Sequence, residues 1–169
     1  MPQPDLTVER IDESSNALIT NLFKYYLHDM AEWFLFDIDE DGSYSYDLSE
    51  HWQRGEEAYI ARCAGKLAGF ALVGSAKPYL TDGDGYDVVE FFVIRRYRHS
   101  GFAEEFARAI WAMHNGQWLV RVYQGNAPAI PFWRKSISRY TQGRQIEERR
   151  DVNGKAWSYF HFDNGAAAT

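Results

Sequence analysis

The stretch with the most chemical character runs from Asp87 to Asn115. Its middle, Arg95-Arg96-Tyr97-Arg98-His99-Ser100-Gly101, is a basic turn that ends in glycine. Before it, Val88, Val89, Phe91, Phe92, Val93 and Ile94 form a run too continuously apolar for a strand with one wet face. After it, Phe102, Phe106, Ile110 and Met113 recur at three or four residues, the spacing of a helix face, and Asn115-Gly116 supplies a stop. A buried strand feeding such a turn at a helix start makes an anion site. The first helical N–H groups lack internal partners and lie at the positive end of the helix dipole. Gly101 lets an anion approach the main chain, Ala103 keeps the next position small, and Arg95, Arg96 and Arg98 add charge. The same features also describe an ordinary strand–turn–helix with a solvated basic loop.

The elements that must hold this turn can be read on either side of it. Leu6 to Ile11 alternates enough for a strand, and Asp12 to Ser15 offer capping side chains for a helix over residues 16–33. In that helix Leu18, Ile19, Leu22, Tyr25, Tyr26 and Met30 trace the apolar stripe. Tyr26, His28 and Asp29 near its end have functional character, although Tyr and His as readily fill or flank a core. A short helix over 48–57 and a hairpin of strands over 58–63 and 67–73 precede the central strand. A strand over 118–123 and a helix over 127–138 come after it, the latter kinked or delayed by Pro131. Strands over 145–152 and 155–162 flank Asn153-Gly154, a two-residue hairpin signal.

Composition bounds the class. The 169 residues suit one domain with a substantial core, and 46% apolar with 17% aromatic content argues against disorder. No apolar run approaches the roughly 20 residues that cross a bilayer, and the polar start shows no secretory pattern. Cys63 is the one cysteine, which excludes an internal disulfide and fits a reducing cytoplasm. A net charge of -6 argues against general affinity for nucleic acid. Asp37, Asp39, Asp41 and Gly42 open like a calcium-binding loop, but the twelfth position, which needs a bidentate Glu, is Leu48. No metal is expected, and a polar acidic loop is the simpler reading.

The pattern Arg98-x-x-Gly101-x-Ala103 after Phe92-Val93 resembles the acyl-CoA pyrophosphate loop of the GNAT superfamily of N-acyltransferases, which usually reads Gln/Arg-x-x-Gly-x-Gly/Ala. A second segment, Asn126-x-x-Ala129-x-x-Phe132-Trp133, is similar to the Asn-x-x-Ala-x-x-Phe-Tyr stretch after the family's fifth strand. The order of elements also resembles the family's over nearly the whole chain. The resemblance implies an α/β (α+β) GNAT fold, with a single central mixed sheet of about seven strands and about four helices. It implies one domain over 1–169, its core about 6–162 and a loose tail at 163–169.

The resemblance further implies an N-acetyltransferase that moves acetyl from acetyl-CoA to a primary amine by direct attack in a ternary complex. Glu90 is then the candidate base, its pKa raised by desolvation between Val89 and Phe91; a carboxylate there could equally face solvent or pair with an arginine. The N–H of Val93 would polarise the thioester carbonyl. Phe91, Phe92 and Val93 would lie against the pantetheine, with Arg98, His99, Ser100, Gly101, Phe102, Ala103 and Glu104 around the pyrophosphate and Asn126 and Trp133 beside the arm. Trp133 stands where the family often has a Tyr that protonates the leaving thiolate, and an indole cannot do so. Tyr26, Asp29, Trp33, Tyr44 and Trp52 are candidates for the acceptor site, their character favouring a cationic small-molecule or peptide amine. A homodimer would be common in the family. The competing class is a non-catalytic acyl-CoA-binding or sensing module, for which Trp133 is the supporting feature.

Overall fold

β-Branched and aromatic runs pair into one sheet, and segments with a helical apolar period cover its two faces. The computed structural model describes residues 5–165; the polar start and the last part of the expected tail, 1–4 and 166–169, lie outside the described residues. In chain order the elements are β1 (Leu6–Ile11), α1 (Asn16–Phe34), α2 (Ser49–Gln53), β2 (Glu57–Cys63), β3 (Lys66–Ser75), β4 (Tyr86–Val93), α3 (Phe102–Trp111), β5 (Gln117–Tyr123), α4 (Ala129–Thr141), β6 (Ile146–Val152) and β7 (Lys155–Asp163). The sheet has seven strands in the order β1-β2-β3-β4-β5-β7-β6. Its neighbours are antiparallel except β4 and β5, which run parallel. Among the described residues no helix is long and apolar enough to cross a membrane.

On one face α3 and α4 bury Phe102, Phe106, Ile110, Trp111, Trp133 and Ile137 against Trp118, Val120 and Phe160. On the other, α1 buries Ile19, Leu22, Phe23 and Leu27 against Ile60, Phe70, Leu72 and Phe92. The stripe of α1 is therefore rotated from the sequence expectation: Tyr25 is 64% exposed, while Phe23 and Leu27 face the sheet. Met113 also differs, since α3 stops at Trp111 and leaves it on the surface. The helix expected from 127 is delayed: α4 begins at Ala129, so Pro131 falls in its first turn, where a missing N–H leaves no intrahelical bond unmade. Asn153 and Gly154 take φ of 52° and 76°, the left-handed pair that a tight hairpin needs. The chain stays tied as far as Asn164, whose side-chain amide donates to the carbonyls of Trp111 at 2.7 Å and His114 at 3.0 Å.

Two irregularities in β4 open the middle of the sheet. Its pairing with β5 covers only Tyr86–Trp118, Asp87–Leu119 and Val88–Val120 before the strands part. Its pairing with β3 slips between Leu72–Glu90 and Val73–Val88, which leaves Val89 as an extra residue, a β-bulge. Gly74 makes room for it: a Cβ there would come within 3.0 Å of the Val89 side chain and 3.1 Å of Glu56. Because side chains alternate with period two, the inserted residue moves everything after it to the opposite face. Val88 packs on the α3 side, yet Phe92 packs on the α1 side. Glu90 is carried to the α1 side as well, where it meets Tyr26.

Candidate active site

Where β4 and β5 part, the main chain of β4 has no strand on its β5 side. The N–H of Ile94 donates to the carbonyl of Ala68 at 2.8 Å, so Val93 and Gly69 face each other without bonding each other. The N–H and C=O of Val93, and by alternation those of Phe91, therefore point away from β3 and into the gap. The Val93 carbonyl accepts from Arg98 Nε at 2.7 Å, which folds the following loop back over the end of β4.

A cavity of about 320 Å³ occupies the gap, lined by residues from both faces of the sheet. On the α1 side it is lined by Tyr26, Met30, Phe34, Phe36 and Tyr46, with Arg121, Tyr123 and Trp157. On the α3 side it is lined by Val88, Phe91, Val120, Val122, Asn126, Ala129 and Trp133. Glu90, on the α1 side, is part of the same lining. Burial raises its carboxyl to about 7, against the pull of the Tyr26 hydrogen bond and the nearby His51 and Arg121. The Tyr26 hydroxyl donates to that carboxylate, and burial with the charge of Glu90 holds the phenol well above its ordinary range. A carboxylate poised near neutrality on a cavity wall can accept a proton from a bound amine.

Other polar side chains support this centre. Arg121 reaches Asp87 at 2.6 Å and lies 4.0 Å from the Tyr79 ring centroid. Asp87 is buried, which raises its carboxyl although Arg121 opposes the shift. Tyr46, pushed up to about 12 by burial and by Glu90, has its hydroxyl 2.8 Å from His51 Nε2. The other ring nitrogen of His51 meets the Glu56 carboxylate.

The turn after β4 has a backbone that can cradle an anion. His99 at φ 65° and Gly101 at φ 84° are both left-handed, and the first intrahelical bond of α3 runs from Glu105 N–H to the Gly101 carbonyl. The helical N–H groups ahead of Glu105 consequently face outward without intrahelical partners. A Cβ on Gly101 would meet nothing within 4 Å, so what glycine contributes here is the backbone conformation. Asp29 holds the turn from α1: its carboxylate binds Arg95 at 2.6 Å and Arg98 at 2.5 Å. Burial alone would raise Asp29, but the bonds and charges of Arg98 and Arg95 outweigh it and keep the carboxyl low. Glu104, in the first turn of α3, pairs with Arg139 at 2.9 Å.

The residues singled out from sequence separate cleanly in space. Glu90, Phe91, Asn126, Trp133 and Tyr26 line the cavity, while Phe92 packs under α1 and Val93 offers its main chain. Arg98, His99, Ser100, Gly101, Phe102, Ala103 and Glu104 form the turn and the start of α3, with the Phe102 ring buried in the core. Trp133 meets the Phe91 ring edge-on at 4.9 Å. Asp29 belongs to the turn, and Trp33, Tyr44 and Trp52 stand outside the cavity lining. Trp52 instead donates to Asn16 at 2.8 Å, and the Tyr44 hydroxyl lies 3.3 Å from His28. Sequence reasoning misses Phe34, Tyr46, Arg121, Tyr123 and Trp157. A lone arginine inside the apolar run Trp118–Tyr123 is the available signal for Arg121, and the remainder come from distant segments. Asp39 and Asp41 hydrogen-bond Ser45 and Ser43 of their own loop, and among the described residues no group of three or more His, Cys, Asp or Glu could hold a metal.

Comparison with known proteins adds a family and a fold. The model of the acetyltransferase (GNAT) family matches residues 25–137, more than half of the chain. No curated protein sequence matches significantly. A GNAT-family acetyltransferase from Streptococcus agalactiae is 15% identical, covers 92% of this chain and 94% of its own, and gives a TM-score of 0.66. Spermidine N-acetyltransferase from Vibrio cholerae, solved with CoA and spermine, is 13% identical over 94% and 95%, with a TM-score of 0.61. The aminoglycoside acetyltransferase AAC(6')-Ib, solved with coenzyme A, is 14% identical over 94% and 95%, with a TM-score of 0.67. At such identities the likeness is one of fold.

Proposed function

Since the chain belongs to the acetyltransferase (GNAT) family, we propose that it transfers acetyl from acetyl-CoA to a primary amine by direct attack in a ternary complex. The observation that carries this reading is Glu90: a carboxylate near pKa 7 on the wall of a cavity lined from both faces of the sheet. An amine with pKa near 10 arrives protonated and must lose a proton before it can attack. Glu90, ionised, takes that proton. The nitrogen then attacks the thioester carbon, whose carbonyl oxygen receives the N–H of Val93, a donor fixed by the register of β4. As the C–S bond breaks, the nitrogen gives up a second proton to water and the thiolate takes one from water, while Glu90 returns its proton to solvent and is a carboxylate again. Trp133 is no acid, but a coenzyme A thiol comparable to the roughly 8.5 of cysteine departs without one.

The turn from His99 to Glu104 suits the diphosphate of the cosubstrate, with Arg98 and Asp29 bracing it rather than contacting it. Asn126 and Trp133 suit the pantetheine side of the cavity. A cytoplasmic setting fits the one cysteine, Cys63, which is free. Mixing the protein with acetyl-CoA and a panel of amines while following free thiol tests the reading. Thiol release that requires the amine supports it; tight binding of coenzyme A with no turnover across the panel would make the chain a binding or sensing module instead.

A further inference from the structure

Taking the acetyl-transfer reading as its base, we infer that the acceptor is a monoamine on an aromatic-sized apolar body, as in an arylalkylamine, and not a polyamine or an aminoglycoside. The charge of the acceptor half of the cavity decides between them. Among the described residues lining it, Glu90 is the one carboxylate and Arg121 the one cation, and Arg121 is already bound to Asp87. One ammonium therefore finds one partner, the group that must also take its proton. A second or third ammonium on the same molecule would lie against rings.

Those rings are packed into a single wall. Phe34 lies 5.1 Å from Tyr123, 5.9 Å from Phe36 and 6.1 Å from Trp157, and Tyr123 lies 5.6 Å from Trp157. A cation could in principle sit over such rings. The Lys155 ammonium, from outside the cavity lining, stands 4.5 Å from the Phe34 centroid and 5.4 Å from that of Tyr123, so this wall already carries a positive charge. A like charge brought there is repelled, whereas a flat apolar body gains contact with the wall and leaves Lys155 in place. Shape and charge thus select together: amine toward Glu90, ring toward Phe34 and Trp157.

Thiol release is measured with acetyl-CoA and phenethylamine, spermidine or kanamycin, and binding of each amine to the CoA-saturated protein is followed by calorimetry. Phenethylamine should give a kcat/KM at least tenfold above the other two, and Phe34→Ala should raise its KM severalfold more than it lowers kcat. Spermidine or kanamycin equalling phenethylamine would overturn the inference while leaving acetyl transfer intact. Failure of phenethylamine to bind overturns it too, whatever else is acetylated. Binding of phenethylamine without thiol release from any amine would keep the occupant and sink the acetyl-transfer reading. A melting curve on Phe34→Ala, with coenzyme A binding retained, separates loss of the wall from loss of the fold.

Discussion

The Tyr26 hydroxyl, from the middle of α1, donates its hydrogen bond to the Glu90 carboxylate on β4. The two residues are 64 positions apart and meet because the bulge at Val89 turns Glu90 to the α1 face. Without that inserted residue Glu90 would share the face of Val88 and point toward α3. The protonation state of the proposed base is therefore set by burial, which raises it, against this phenol and the charges of His51 and Arg121, which lower it.

A base that acts as the carboxylate works only above its own pKa. The rate of acetyl transfer at saturating acetyl-CoA should rise with pH through about 7 and then level. Glu90→Gln should lower turnover more than tenfold, flatten that limb and leave coenzyme A affinity within about twofold. An unchanged profile in the variant would remove Glu90 from the mechanism.

The same shift has a sign in stability. Glu90 ordinarily titrates at 4.5 and here near 7, so the native state holds a proton that the unfolded chain releases across that interval. Stability from this group is full below pH 4.5 and is lost as pH rises toward 7, by about 3 kcal/mol at most. Glu90→Gln, which still accepts from Tyr26, should thus raise the Tm relative to the parent at pH 8 and much less at pH 5. Equal Tm differences at both pH values would mean that the carboxyl is not shifted.

Removing the phenol should move the base in a known direction. Tyr26→Phe deletes a donor to the ionised form, so the rising limb of the pH–rate profile should shift upward by about one unit. Turnover at pH 7 falls while turnover at pH 9 recovers. A downward shift would contradict the donor role of Tyr26.

Asp29 separates a bracing role from an acceptor role. Asp29→Asn frees Arg95 and Arg98 from their shared carboxylate and should weaken coenzyme A binding about five- to tenfold by calorimetry, with the amine KM nearly constant. A change confined to the amine KM would return Asp29 to the acceptor site. Gly101→Ala tests the same turn from the backbone: a Cβ at φ 84° costs about 1–2 kcal/mol, and the Kd for coenzyme A should rise by about tenfold.

Much of the fold was legible because it rests on local periodicity. The apolar run of β4, the three-to-four spacing of Phe102, Phe106 and Ile110, and the Asn153-Gly154 turn each report a backbone state within a few residues. The turn after β4 was legible for the same reason: strand, turn and helix are contiguous. The α1-side wall of the cavity was not, since Phe34, Tyr46, Tyr123 and Trp157 come from four separated segments and only the sheet order juxtaposes them. Asp29 misled because its partners lie on another element, Arg95 and Arg98. The bulge at Val89 was also invisible, as one residue in a nearly continuous apolar run leaves no break in pattern.

The three-pair ladder between β4 and β5 leaves a seam in the middle of the sheet, and the amides of Phe91 and Val93 border it. In the free protein these N–H groups should trade deuterium quickly despite their central position, with the strands on either side acting as two half-sheets joined at one end. An arm of amides such as pantetheine, laid along the seam, would supply the acceptors that a neighbouring strand would have given. Occupancy should then slow exchange at Phe91 and Val93 first, a readout of cosubstrate arrival that needs no turnover at all.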